Sequence, residues 1–358
     1  MFSDRRAFCQ GLLLSAMQAK ISLAQGFAGL GLESGAFEQV VQGRVLTFPA
    51  DHGPHPLFRI EWWYVTANLH DKTGTPYGVQ WTLFRQAMEA GADNEGWASR
   101  QIWMGHAAVT SAGEHRFSER LARGGVGQAG AKAEPFHAWI DAWDMRGLEP
   151  MSTQSVSPLS LAAAANDFAF NLTLESSQPL VLQGDGGYSR KSDKGQASYY
   201  YSQPFFEARG GLELDGKRVG VSGQAWMDRE WSSQPLASDQ KGWDWISLHL
   251  ESGAKLMVFR LRQSDGRNYV SGNWIEADGH SQVLPSDAIV LTPSSPISIA
   301  GRLIPVEWDI DIPSRGLRIK IAPINPNSWM GTTIPYWEGP VRIQGSQSGV
   351  GYLEMTGY

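Results

Sequence analysis

Trp62-Trp63-Tyr64-Val65-Thr66-Ala67-Asn68-Leu69, then Asp71-Lys72-Thr73-Gly74, then Gly78-Val79-Gln80-Trp81-Thr82-Leu83-Phe84 read as two strands joined by a tight turn. Aromatic and β-branched residues fill both runs, and the Asp and Gly between them are turn formers. The same pattern recurs at 102–110, 168–174, 220–227, 245–250, 255–261 and 317–321, with further turns at Asp215-Gly216 and Asp265-Gly266. Helical periodicity is scarce, and only 159–165 leaves a single helical turn or a strand edge open. The pattern predicts an all-β chain, as sandwiches or barrels.

The opening hairpin has a weak echo. Trp62-Trp63-Tyr64 is followed by Leu69, Gly74 and Phe84-Arg85, and Trp243-Asp244-Trp245 by Leu250, Gly253 and Phe259-Arg260. In both copies the leading Trp stands 7 residues before the Leu (69 − 62 and 250 − 243). Such an echo predicts two homologous β domains, each opened by a hairpin. The polar stretch 232–238, just before the second copy, is the expected linker.

Composition narrows the function classes. The 358 residues carry a formal charge of −6 with acids and bases interspersed, so no basic stripe is on offer to nucleic acid or to an anionic membrane surface. Fifteen Trp, 14 Phe and 10 Tyr, with 40 Gly and 19 Pro, point to short strands and wide apolar surfaces. Asp4-Arg5-Arg6-Ala7-Phe8, the apolar run 11–23 and Ser22-Leu23-Ala24 read as an export signal of the twin-arginine type over 1–24. The expected location is the periplasm or the cell exterior. The one cysteine, Cys9, falls in that leader, so the mature chain is expected to form neither a disulfide nor a thiolate site.

Several longer words carry a resemblance. They are His55-Pro56-Leu57-Phe58-Arg59-Ile60-Glu61-Trp62-Trp63-Tyr64, Trp81-Thr82-Leu83-Phe84-Arg85, Tyr199-Tyr200-Tyr201-Ser202, Ala225-Trp226-Met227-Asp228-Arg229-Glu230-Trp231 and Gly351-Tyr352-Leu353-Glu354-Met355-Thr356-Gly357-Tyr358. From about residue 52 to the end the chain resembles the AttH-like "predicted secreted hydrolase" group, which is related to carotenoid 1,2-hydratase, or hydroxyneurosporene synthase. The resemblance implies two lipocalin-like antiparallel β-barrels in tandem, with boundaries expected at 40–234 and 235–358. It also brings out a departure: the hydratase branch carries Asp-His-Asn-Trp where this chain has Asp228-Arg229-Glu230-Trp231, and the histidine is implicated in hydration. Arg229 stays protonated, so it can hold an anion but cannot shuttle a proton.

Alternation along an extended segment puts Trp226, Asp228 and Glu230 on one face and Met227, Arg229 and Trp231 on the other. Two carboxylates so close in a dry site raise one pKa and supply an acid beside a base. On a solvated face, or salt-bridged between the domains, they are merely structural. Arg229 with Trp231 is either a ligand clamp or a structural plug partnered by Glu61. Arg59, Glu61 and Trp63 share a face on the first strand, where Arg59 and Glu61 can pair locally. Trp243 and Trp245, together with Tyr336-Trp337-Glu338, make either an aromatic cage with one carboxylate or barrel core. His106 is the best-placed neutral base of the first domain. His52 and His55 flank Gly53-Pro54 and read as a rigid turn rather than a metal site; no metal or other cofactor is expected.

Two functions remain open at this level. One is an exported enzyme that buries an apolar or isoprenoid-like small molecule in a barrel and hydrates it, with Asp228, Glu230 or Glu61 as general acid. The other is a non-catalytic carrier or chaperone that hands a lipid to a membrane transporter, with Arg229 as the anion clamp. Nucleic acid is excluded as a partner, and the oligomeric state is not readable.

Overall fold

The computed structural model describes residues 37–149, 156–234 and 236–358. The expected export signal and Pro235 of the expected linker lie outside them. Among the described residues the regular elements are strands and short 3-10 turns. The first set comprises β1 (Ile60–His70), β2 (Pro76–Ala87), β3 (Gln101–Ser111), β4 (His115–Arg123), β5 (Ala129–Lys132), β6 (His137–Ile140) and β7 (Trp143–Gly147). It continues with β8 (Leu159–Ala164), β9 (Phe168–Glu175), β10 (Val181–Leu182), β11 (Tyr188–Arg190), β12 (Ala197–Leu214) and β13 (Lys217–Ser232). The second begins with β14 (Gln240–Leu250), β15 (Lys255–Gln263), β16 (Asn268–Ile275), β17 (Ser281–Leu284), β18 (Val290–Pro293) and β19 (Ile297–Ile299). It ends with β20 (Arg302–Ile304), β21 (Trp308–Ile312), β22 (Leu317–Pro323), β23 (Trp329–Met330), β24 (Tyr336–Gly345) and β25 (Gly349–Thr356).

Of the stretch 159–165, ambiguous in the sequence, residues 159–164 form β8. Its alternating burial (Leu159, Leu161 and Ala163 inside) settles the choice.

One sheet runs β4-β3-β2-β1-β13-β12-β9-β8-β7-β6-β5 and curls into a nearly closed barrel; a second runs β17-β16-β15-β14-β25-β24-β22-β21-β18 as a half-barrel. The chain is thus all-β, two lipocalin-like barrels in tandem. Every neighbouring pair in these sheets is antiparallel, and the β1–β2 hairpin keeps one register from Ile60↔Gln86 to His70↔Pro76. At Pro204, which has no N–H for the ladder, β12 shifts register between Gln203 and Phe206.

Trp63, Val65, Trp81, Leu83, Tyr201, Met227 and Trp231 fill the first barrel, and Ile246, Leu248, Trp308, Trp337 and Leu353 the second. Large side chains thus crowd both barrel interiors, where the sequence leads one to expect a ligand. A third cluster joins the barrels, with Tyr64, Tyr200 and Trp226 meeting Trp245, Met257, Phe259 and Tyr352. The approach is close enough to require glycine. A Cβ on Gly78 would stand 2.5 Å from both Pro340 and the Tyr352 hydroxyl.

Candidate active site

Strand β13 serves two different environments. Its pairing with β1 sets Arg229 opposite Trp63 and Asp228 opposite Tyr64. The pleat then sends Met227, Arg229 and Trp231 into the first barrel, and Trp226 and Asp228 to the seam between the barrels.

The inward face is a charge plug. Arg229 is fully buried, donates to Glu61 Oε1 at 2.7 Å and to the carbonyls of Trp62 and Gly53 at 2.5 and 2.7 Å, and lies 3.9 Å over the Trp63 ring. Glu61 also accepts from Arg85 Nε at 2.9 Å and meets His55 Nδ1 at 2.6 Å, while the His55 ring stacks 3.9 Å from Trp231. Burial pushes the Glu61 carboxyl up, but the charges of Arg229, His55 and Arg85 outweigh it and hold it well below the usual range. Glu61 is thus an ionised member of a buried ion network, not a proton donor, and Arg229 is committed to it rather than to a ligand. The local Arg59–Glu61 pair does not form; Arg59 lies over Phe37 instead, 5.4 Å away. The histidines do separate work here. Burial pushes His52 down to about 3, so it is neutral, and its Nδ1 hydrogen-bonds the Tyr201 hydroxyl at 2.6 Å.

The outward face borders a cavity of about 90 Å³ walled by Trp62, Tyr64, Phe84, Tyr200, Trp243, Trp245, Phe259 and Leu261. Asp228, Glu230 and Lys191 enter from the first barrel and Glu354 from the second. Asp228 accepts hydrogen bonds from Tyr200 Oη at 2.7 Å, Ser202 Oγ at 2.5 Å and Trp226 Nε1 at 2.7 Å. Those donors favour the carboxylate. Burial outweighs them and pushes Asp228 up to about 7. Glu354, held by Trp243 Nε1 at 2.5 Å, is likewise raised by burial to about 7, with further repulsion from Glu230 and Asp228.

Two more carboxyls complete the group. Glu230 pairs with Lys191 at 2.8 Å, and that ammonium lies 4.2 Å from the centre of the Phe259 ring. Glu338 stands directly opposite Glu354 in the β24–β25 ladder and accepts from the Tyr64 hydroxyl; burial and the Glu354 charge keep it well above the normal range, hence protonated. The carboxyls are thereby sorted: one paired with a lysine, one held neutral, and two poised near neutral pH.

The sequence candidates accordingly separate. Asp228, Glu230, Trp243 and Trp245 line the cavity. Tyr336 and Glu338 stand beside it on β24, with His106 Nδ1 3.0 Å from Tyr336 Oη and His106 Nε2 3.1 Å from Glu119. Burial lowers His106, so it is a neutral link between the barrels. Trp337, one residue along, turns into the second barrel core. Glu61, Arg229, Trp231 and Trp63 belong to the plug. Sequence reasoning missed Glu354, Lys191, Tyr64, Tyr200 and Ser202 as site residues. Alternation places Tyr352 and Glu354 on one face of the closing word, but only the pairing of β25 with β14 shows where that face points. Among the described residues no group of three or more His, Cys, Asp or Glu is arranged to hold a metal ion.

The AttH-like family profile matches residues 39–358. The crystal structure of an AttH protein from Nitrosomonas europaea is 33% identical, with 90% of this chain and 99% of that one covered at a TM-score of 0.78. Kievitone hydratase from Nectria haematococca shares the fold at 14% identity, covering 91% of this chain and 98% of its own at a TM-score of 0.65. No curated protein matches the sequence. Matched over nearly its whole described length, the chain belongs to the AttH-like family.

Proposed function

We propose that the protein is a hydratase that adds water across the carbon–carbon double bond of an apolar small molecule held at the seam. The observation that carries this reading is the meeting of two carboxyls, buried Asp228 and half-buried Glu354, one from each barrel, in a single aromatic cavity with both poised near pH 7. In the proposed step protonated Asp228 gives its proton to one alkene carbon. The positive charge on the other carbon rests against the faces of Trp62, Trp243 and Trp245. Ionised Glu354 takes a proton from water as the water oxygen bonds that carbon, giving the alcohol. Glu354 then releases its proton and Asp228 regains one by exchange with solvent, which restores the starting state. The reverse sequence is dehydration.

Cavity size sets the scale of the reacting group. At about 90 Å³ it is smaller than the roughly 150 Å³ cavity known to hold benzene, so it suits the branched end of a molecule rather than a whole lipid. The resemblance to the carotenoid hydratase group supports the same chemistry, and the departure at Arg229 does not oppose it, because the acid is drawn from the other face of β13. The reading includes export, for which the twin arginines at the N-terminus are the support.

A direct assay uses geraniol as probe in water enriched in heavy oxygen, with products followed by mass spectrometry. Wild type should form an alcohol carrying the heavy label, with a bell-shaped pH dependence centred near 7, since one carboxyl must be protonated and the other ionised. Asp228→Asn and Glu354→Gln should abolish labelling while native mass spectrometry still detects bound probe. Label incorporation by Asp228→Asn at the wild-type rate would refute the assignment.

A further inference from the structure

Trp226 separates the seam cavity from a second cleft. Its Nε1 donates to Asp228 on one side, and its ring meets the His249 ring edge-on at 5.8 Å on the other. Beyond His249 the barrels part over about 700 Å³, lined by Ser176, Gln178, Phe205, Gln224, His249 and Lys255 among others. That volume lies within the roughly 300–1,000 Å³ usual for small-molecule sites.

Two largely buried polar side chains there, which border the cleft, have no side-chain partner. His249 and Lys255 are directly opposed in the β14–β15 ladder, so they project from one face, and they are 3% and 5% exposed. Among the described residues Lys255 has no ion pair or hydrogen bond; its ammonium faces only the Phe205 ring at 5.5 Å. His249 Nδ1 also finds no partner. The acids at the rim, Glu175 and Glu207, are solvent-exposed, and Glu207 holds Arg209 at 2.8 Å. Lys191, by contrast, is buried with Glu230 against it.

Buried polar groups are almost always satisfied, and an unpaired buried ammonium is costly. Burial accordingly pushes Lys255 down to about 8, and burial together with the Lys255 charge keeps His249 well below its usual value. At pH 7 the cleft thus offers one ammonium and one neutral imidazole, while the two carboxylates of its lining, Glu175 and Glu207, are exposed to solvent.

We propose that Lys255 and His249 form a second ligand site, distinct from the seam cavity, which takes the carboxylate or phosphate head of a small organic anion. The ammonium supplies the charge and the imidazole N–H a directed hydrogen bond. Phe205 offers an apolar wall to the body of the ligand.

Calorimetric titration of the full chain at pH 7 with benzoate, phenyl phosphate and neutral benzyl alcohol tests this. Wild type should bind at least one of the anions saturably and benzyl alcohol not at all; the anion preferred identifies the head group. Lys255→Met should lose about ten- to a hundredfold in affinity, the range for a hydrogen bond to a charged group, and Lys255→Arg should retain most of it. Should Lys255→Met fail to fold, the His249 ring resonances of wild type serve instead, and they should shift on adding the anion. Absence of saturable anion binding, equal binding of benzyl alcohol, unchanged affinity in folded Lys255→Met, or unmoved His249 resonances would each overturn the proposal.

Discussion

Replacing Asp228 by Asn tests the poised acid through stability, independently of any substrate. In the folded protein Asp228 titrates at about 7, against 3.8 for the free side chain. Between those values the folded state holds a proton that the unfolded state has released, so the slope of unfolding free energy with pH is negative. Stability from this group is whole below pH 4, falls as pH rises, and levels off above 7. The shift is about three pH units, and at 1.36 kcal/mol each the loss amounts to about 4 kcal/mol. An asparagine does not titrate, and its amide can still accept from Trp226 and Ser202 and donate to the Tyr200 oxygen. The variant should therefore match or trail wild type at pH 4 and gain on it by about 4 kcal/mol by pH 8, while losing activity. Urea unfolding followed by tryptophan fluorescence at pH 4, 6 and 8 measures this. A difference between the two proteins that stays flat across that range would refute the claim that burial raises Asp228.

The remaining expectations can be checked separately. Glu61→Gln strands Arg229 and Arg85 in the first barrel and should destabilise by about 3–5 kcal/mol in denaturant titration, as expected when one member of a buried ion network is removed. Because Glu61 is held below its usual range, its contribution to wild-type stability is present above the unfolded carboxyl pKa and fades as pH falls through acid. Trp243→Ala removes both a cavity wall and the donor to Glu354, and should lower kcat for the hydration probe about ten- to a hundredfold. Replacing Arg5-Arg6 by Lys-Lys should leave the precursor in the cytoplasm, as read by fractionation and immunoblotting of the producing cells.

Much of the site was legible one strand at a time. In the Ala225–Trp231 word, alternation alone separates Asp228 from Arg229, because successive residues of a strand cannot share a face. Alternation does not say which face is lumen and which is seam. Arg229 beside Trp231 looked equally suited to a ligand, and only closure of the barrel, bringing Glu61, Arg85 and His55 around it, makes it a plug. Tyr336-Trp337-Glu338 reads from sequence as either a cage or barrel core, and the pleat divides it: its middle residue turns into the second barrel core.

From the sequence alone came the all-β class, the paired aromatic hairpins, the export signal as an expectation, and the family, because turns, two-residue periodicity and long words are local in the chain. The active cavity is not local. Its two acids belong to different barrels, and nothing along the chain states that the outer face of β13 packs against the outer faces of β14 and β25. That packing removes water from Asp228 and Glu354 together. Desolvation, which turns ordinary carboxyls into an acid and a base near pH 7, is a property of the assembled seam and was decided only by tertiary structure.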